Sequence, residues 1–245
     1  MNKVVDENTL KELDAEFAKR YSDKVIVDGI VGWGYDNNIY FDSDIRILWI
    51  LKEGNQPENE KKKCEFRDLL FEVAKGDYPN APWWKHTYGL VAKVSYGILF
   101  DKKNYNDVPD EEDIKDIFKE IAVINVKKTA GSSSANPNEI EQFYNNDKDL
   151  LIRQINALKP DIIINCSRVR SLFDDLKTRD ESAEFGPFEG SFQVTISDDK
   201  QSSYDRLLIN AYHPNIRGGG NEKKAAYFQT IINCLEWDKQ HKKAT

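Results

Sequence analysis

Four polar stretches carry the side chains that could do chemistry, and each follows a short apolar run. The first is Lys52-Glu53-Gly54-Asn55-Gln56, a carboxylate and amides around a glycine. A carboxylate or amide fixed just past a buried strand can orient or activate a water, which makes Glu53 and Asn55 candidates for that role. A solvated turn at Gly54 is the plainer reading. The second starts at Asn125 and continues through Lys127, Lys128, Thr129 and the small residues up to Ala135. Asn offers a donor and an acceptor together, enough to read a planar amide-like edge. The Gly and Ser backbone suits a phosphate, or simply a surface loop with two solvated lysines. The third, Ser167-Arg168-Val169-Arg170, stands at an expected helix start, where Ser167 could cap the helix or help hold an anion. The fourth is Tyr212-His213-Pro214-Asn215-Ile216-Arg217. A neutral imidazole at His213 can donate to a carbonyl oxygen and stabilise charge developing there.

The elements that position these residues follow from hydropathy. Ile45–Leu51, Ile121–Asn125, Asp161–Cys166 and Leu207–Ala211 are nearly continuous apolar runs. Continuous rather than alternating apolarity implies strands buried on both faces, as in parallel sheets covered by helices. Helical patterns at 64–75, 85–99, 111–120, 139–158, 168–178 and 222–240 lie between and around them. The expected fold is therefore α/β, three α/β/α layers on a central, mostly parallel four-stranded sheet. Residues 180–206 read as a hairpin or an added strand. Residues 1–44 read as an N-terminal helix and short strands packed on a main domain of 45–245. In that helix, Leu10, Leu13, Phe17 and Tyr21 share one face, and Asn8 or Thr9 caps the start. In open α/β sheets the ligand crevice lies outside the carboxyl ends of the strands, where all four polar stretches would converge.

Composition sets limits. The 245 residues carry a net charge of −7, which gives no global attraction to polyanions and requires any nucleic-acid ligand to meet a local basic surface. Cys64, Cys166 and Cys234 are far apart, without CxxC spacing, and suit a reducing cytoplasm better than a disulfide framework. No stretch reaches the roughly twenty apolar residues of a membrane helix, so a cytoplasmic protein without membrane contact is expected. His213 and His86 have no acidic or thiol partners at zinc spacing, and neither a metal nor another cofactor is expected.

Taken in order, the four segments resemble the uracil-DNA glycosylase superfamily. Ile47-Leu-Trp-Ile-Leu-Lys-Glu-Gly-Asn55 resembles its water-handling motif, and Ile124-Asn-Val-Lys-Lys-Thr129 resembles the strand whose Asn reads the base. Leu158 to Arg168 resembles the approach to its phosphate-contacting loop, and Ala211-Tyr-His-Pro-Asn-Ile-Arg217 its His-Pro loop. The chain departs from the family with Lys52 and Gly54 in the first motif and Asn215 where the family has Ser. It also lacks the four-cysteine pattern of the iron–sulfur branch.

The resemblance implies a hydrolase that flips uracil or a related base from single- or double-stranded DNA and cleaves its N-glycosidic bond. Asn125 would read the base, His213 would stabilise the leaving base, and Glu53 or Asn55 would handle water. Ser167, Arg168 and Lys127 would contact phosphate. Trp83, Trp84, Phe66 and Tyr88 are the candidates for stacking on the base. The alternative is a protein on the same fold that binds a nucleotide or modified base without cleaving it. A nucleotide hydrolase of the phosphate-loop kind lacks its motif here. Oligomeric state is left open by the sequence.

Overall fold

The apolar runs do become parallel strands, but the sheet they build is larger than four strands. The computed structural model describes residues 4–35, 39–55, 64–77, 83–131, 135–177, 182–185, 192–198, 205–216, 218 and 220–242. In chain order the elements are α1 (Glu7–Tyr21), β1 (Ile26–Val27), β2 (Gly29–Ile30), β3 (Ile47–Asn55), β4 (Cys64–Glu65), α2 (Phe66–Lys75) and α3 (Trp83–Leu99). There follow β5 (Ile121–Gly131), α4 (Pro137–Leu158), β6 (Ile162–Asn165), α5 (Arg170–Leu176), β7 (Ser182–Phe185), β8 (Phe192–Asp198), β9 (Asp205–Asn210) and α6 (Gly220–Lys242).

Seven strands form the main sheet in the order β2-β5-β3-β6-β9-β8-β7. β5, β3, β6 and β9 are mutually parallel, in the register Ile121–Ile47–Ile162–Leu207. β2 closes one side antiparallel to β5, and the β7–β8 hairpin closes the other antiparallel to β9. The four-stranded expectation is thus corrected to a mixed seven-stranded sheet. The additions extend both sides of the parallel core, with β2 and β7 as its edges, and occupy backbone groups that β5 and β9 would otherwise expose. Their apolar signal is weak because β2 is two residues long, β7 is half-exposed, and in β8 buried Phe192 and Val194 alternate with exposed Gln193.

Alternate residues of the parallel strands feed two apolar clusters. Ile47, Trp49, Leu51, Val123, Ile164 and Ile209 pack with residues of α2, α3 and α6. Leu48, Ile50, Ala122, Ile124, Ile163 and Leu208 pack with residues of α1, α4 and α5. Helices therefore cover both faces of the sheet, which is why these runs had to be apolar at every position. Residues before 45 share in this: β2 pairs with β5, and Leu10, Leu13 and Phe17 of α1 join the second cluster.

Local signals shaped the helix ends. Asp6, rather than Asn8 or Thr9, caps α1: its carboxylate accepts from the backbone N of Thr9 at 3.0 Å and from the Thr9 hydroxyl at 2.8 Å. α4 starts on the Asn136 cap with Pro137 in its first turn, and it ends at Lys159, in left-handed conformation, before Pro160. The helical pattern at 111–120 does not become an α-helix. It is a turn followed by a 3-10 segment, Lys115–Glu120. Its acidic side chains reach neighbouring elements instead: Glu112 pairs with Lys85 of α3 at 2.7 Å, and Glu111 lies 3.8 Å from Lys224 of α6.

The chain leaves β3 for β5 on one side and then crosses to β6 on the other. That reversal puts a topological switch point between the carboxyl ends of β3 and β6.

Candidate functional site

Past this switch point the polar side chains sort into three groups rather than one. Adjacent residues of a strand point to opposite faces, so Lys52 and Glu53 part company at the end of β3.

Glu53 turns toward β5. Its Oε2 accepts from Lys127 Nζ at 3.0 Å, and the same ammonium reaches Glu139 Oε1 at 2.6 Å and lies 5.3 Å from the Phe143 ring centre. Burial alone would lower the Lys127 ammonium pKa, but its bonds to Glu139 and Glu53 outweigh burial and raise it. Lys127, expected to contact phosphate, instead lies 8% exposed between two carboxylates. The physical reason is a bulge. Pairing moves from Glu53–Lys127 to Asn55–Gly131, so β5 advances four residues while β3 advances two. Gly131 is thereby brought onto the Glu53 carboxyl, in the space a side chain would fill. Gly131→Ala is expected to cost about 1–3 kcal/mol of stability by overpacking and to push Glu53 off Lys127. Urea unfolding and a crystal structure of the variant would measure both, and an unmoved Glu53 at full stability would refute the close packing. Asn55 ends β3, and its side chain, like Gln56 and Ser132 to Ser134, lies outside the described residues.

Asn125 is not at a strand end. β5 continues to Gly131 and leaves Asn125 at its fifth position, fully buried. Its backbone N donates to Asp28 Oδ2 at 2.7 Å, and its Nδ2 makes a long contact of 3.5 Å with the same oxygen. Lys128 Nζ binds Asp28 Oδ1 at 2.6 Å and Gln154 Oε1 at 2.8 Å, and Gln154 Nε2 donates to Asp28 Oδ1 at 3.2 Å. Every donor in this buried set has an acceptor. Asn125 Oδ1, by contrast, is buried with no hydrogen-bond partner among the described residues. Such an acceptor costs about 1–3 kcal/mol unless a donor reaches it.

The third group gathers Lys52, Arg168 and His213. His213 follows β9, and its Nδ1 accepts from the backbone N of Asn215 at 3.2 Å across Pro214. With Nδ1 engaged as an acceptor, the ring proton resides on Nε2, which becomes a donor. Burial, and then the nearby Lys52 charge, lower the imidazolium pKa from 6.5 to about 4, so the ring is neutral at pH 7. The loop is anchored from α6: Tyr227 donates its hydroxyl to the carbonyl of Tyr212 at 2.8 Å and lies 3.4 Å from Cys166 Sγ. Cys166 is a buried thiol pushed up to about 12 by burial, and it stays protonated.

Arg168 is exposed, in left-handed conformation at φ 63°, with its guanidinium 5.1 Å from the Tyr212 ring centre. Ser167 is committed internally. Its hydroxyl donates to Asn165 Oδ1 at 2.6 Å and accepts from the backbone N of Val169 at 3.1 Å. It is neither the cap of α5, which starts after Val169 without a side-chain cap, nor an exposed phosphate donor.

No protein-family model matches this chain, and no curated protein matches it.

Of the expected residues, then, the fold pairs Glu53 with Lys127, leaves Arg168 and His213 just past the neighbouring strands β6 and β9, and holds Asn125 in a separate interior network. Lys52 is the one the polarity of its segment had left as a solvated lysine. The signal for it was its place as the first polar residue after the apolar run of β3. Phe66, Trp84 and Tyr88 are core residues. Phe66 packs 5.6 Å from Tyr88, and Trp84 lies 5.9 Å from Phe118, so none presents a free face to a base. The Trp83 side chain and Arg217 lie outside the described residues. His86 is exposed on α3. Among the described residues no group of three or more His, Cys, Asp or Glu could hold a metal ion, and no helix is long and apolar enough to cross a membrane.

Proposed function

We propose that this chain is a glycosylase-like hydrolase that binds a nucleobase in DNA or in a nucleotide at the strand ends and cleaves its N-glycosidic bond. The observation that carries the reading is His213, a neutral imidazole whose Nδ1 is engaged and whose Nε2–H, among the described residues, is left to donate. When the bond from C1′ to the base nitrogen breaks, the electron pair goes to the base and charge gathers on its carbonyl oxygen. A fixed N–H donor there stabilises that charge as it develops. Water supplies the new C1′–O bond, positioned by Glu53 or Asn55, and the base takes its proton from solvent.

A second reading, binding without cleavage, draws on Glu53, whose carboxylate is held by Lys127 and packed against Gly131. Release of base from uracil-containing single- and double-stranded oligonucleotides separates the two. Cleavage that falls about 10²–10³-fold in His213→Ala supports the hydrolase. Tight binding without release supports the second reading. Cleavage unaltered by both Asn125→Ala and His213→Ala removes the assigned site.

A further inference from the structure

We infer that Tyr227 of α6 is the positioning residue for His213, because its hydroxyl fixes the peptide unit that carries the imidazole past the end of β9. The inference rests on the reading of His213 as a donor in the function above and adds the residue that holds it there.

Packing alone leaves the Tyr227 oxygen unexplained. The side chain is fully buried, and its ring meets Phe192 of β8 edge-on at 5.1 Å. A phenylalanine ring would make the same contact. The oxygen, however, has two partners: it donates to the carbonyl of Tyr212 at 2.8 Å and lies 3.4 Å from Cys166 Sγ. A phenol has one proton, and the Tyr212 carbonyl can only accept. The protonated Cys166 thiol therefore donates to the Tyr227 oxygen, and the phenol proton goes to the loop. Cys166 follows β6, and its backbone N donates to the Ile50 carbonyl of β3 at 2.7 Å. The bonds thus run from the central strands through α6 to the loop after β9.

Backbone geometry carries this constraint to His213. The Tyr212 carbonyl belongs to the peptide unit that ends at the N and Cα of His213, and such a unit is planar. Holding its oxygen fixes the plane on the N-terminal side of His213. On the other side, Pro214 disfavours helical conformations for the His213 backbone. The ring itself is set by the Asn215 N, which donates to Nδ1 at 3.2 Å. Pro214 and Asn215 belong to the loop and travel with it. Tyr227 belongs to a helix whose next apolar residues, Phe228 and Ile231, are also buried in the core, so it ties the loop to the body of the protein. Phe192 adds to the tie, with its ring 5.9 Å from that of Tyr212.

The state of His213 reads the tie without any substrate. Burial contributes most to its low pKa, followed by the Lys52 charge, and a substitution at 227 leaves Lys52 in place. A loop freed from Tyr227 admits water and returns the imidazole toward its ordinary pKa.

Nitrogen-15 NMR of the imidazoles in the full chain would follow His213 from about pH 7.5 to about pH 5, with His213→Gln identifying its signal among those of His86 and His241. The parent ring is expected to stay neutral across that range, with its proton on Nε2. In Tyr227→Phe, which keeps the ring and removes only the oxygen, it should titrate within the range. Tyr144→Phe is the control. It removes another buried tyrosine hydroxyl, bonded to Asp175 at 2.6 Å on the opposite face of the sheet, and should leave His213 as in the parent. Folded and unfolded chains give separate signals, so lost stability in Tyr227→Phe does not hide the outcome. On a uracil-containing single-stranded oligonucleotide, kcat in Tyr227→Phe should fall about tenfold to a hundredfold with KM little changed.

A His213 titration unmoved in Tyr227→Phe overturns the positioning, and so does one moved equally by Tyr144→Phe. Absence of base release from every protein, with the titration moved in Tyr227→Phe alone, counts against the hydrolase and supports the positioning. Parent kcat in Tyr227→Phe despite a moved titration leaves the positioning in place and removes His213 as the donor.

Discussion

Asp28→Ala is expected to cost about 3–5 kcal/mol of folding stability, the range for removing one member of a buried ion pair. Asp28 and Lys128 pair at 2.6 Å with side chains 1% exposed each. Desolvating two such charges is tolerable because the remaining hydrogen-bonding capacity is also used. Lys128 Nζ reaches Gln154 as well, and Asp28 accepts from Gln154 and from the backbone of Asn125. Alanine removes the shared acceptor. It strands an ammonium that packs 5.0 Å from the centre of the Phe17 ring, and it leaves the Asn125 N–H without its partner. Urea unfolding of the variant against the parent chain measures the loss, and a change below about 1 kcal/mol would show that water enters the site and that the network is weaker than its geometry. Because Asn125 belongs to this network, any base-reading role for it depends on Asp28.

Stability should fall as the pH drops from about 6.5 to about 4, and His213 should account for a resolvable share of that fall. Burial, followed by Lys52, places the folded-state pKa at about 4 against 6.5 for an unperturbed imidazole. Within that window the unfolded chain binds a proton that the folded chain does not, so lower pH favours unfolding. Above 6.5 both states hold neutral rings and the contribution is flat. Below 4 both are protonated and it is flat again. The slope is at most about 1.4 kcal/mol per pH unit, or up to about 3 kcal/mol across the window. Denaturant unfolding from pH 4 to pH 7 for the parent chain and His213→Gln isolates this share, since other titrating groups, such as Asp14, cancel in the difference. Parallel curves for the two proteins would mean that His213 is solvated, and the neutral donor assigned to it would lose its basis.

Much of the fold was legible because its causes are local or periodic. Strands covered on both faces need apolar residues at successive positions, and Ile47 to Leu51 and Ile121 to Ile124 show it directly. The helical pattern at 139–158 becomes α4, Pro137–Leu158, and the chain turns out of it at Lys159 before Pro160. What was not legible depends on partners distant in sequence. β2 is two residues long and exists only because β5 offers an open edge. The segment at 111–120 has helical spacing, yet it forms turns and 3-10 structure, with Glu112 paired to Lys85 of α3 and Glu111 near Lys224 of α6.

The candidate site divides in the same way. Sequence alone marked four apolar runs and the polar residues after them, with a carboxylate at 53, an amide at 125 and an imidazole at 213. It could do so because apolar runs end where polar chemistry becomes affordable. Only the tertiary structure decided which of these side chains meet. It turned Lys127 inward onto Glu53 and Glu139, closed the Ser167 hydroxyl on Asn165 and Val169, and sank Asn125 beside Asp28. The reason is that a strand's alternation assigns faces, whereas bulges and sheet order assign neighbours, and a two-residue slip in β5 is enough to change which charge answers which.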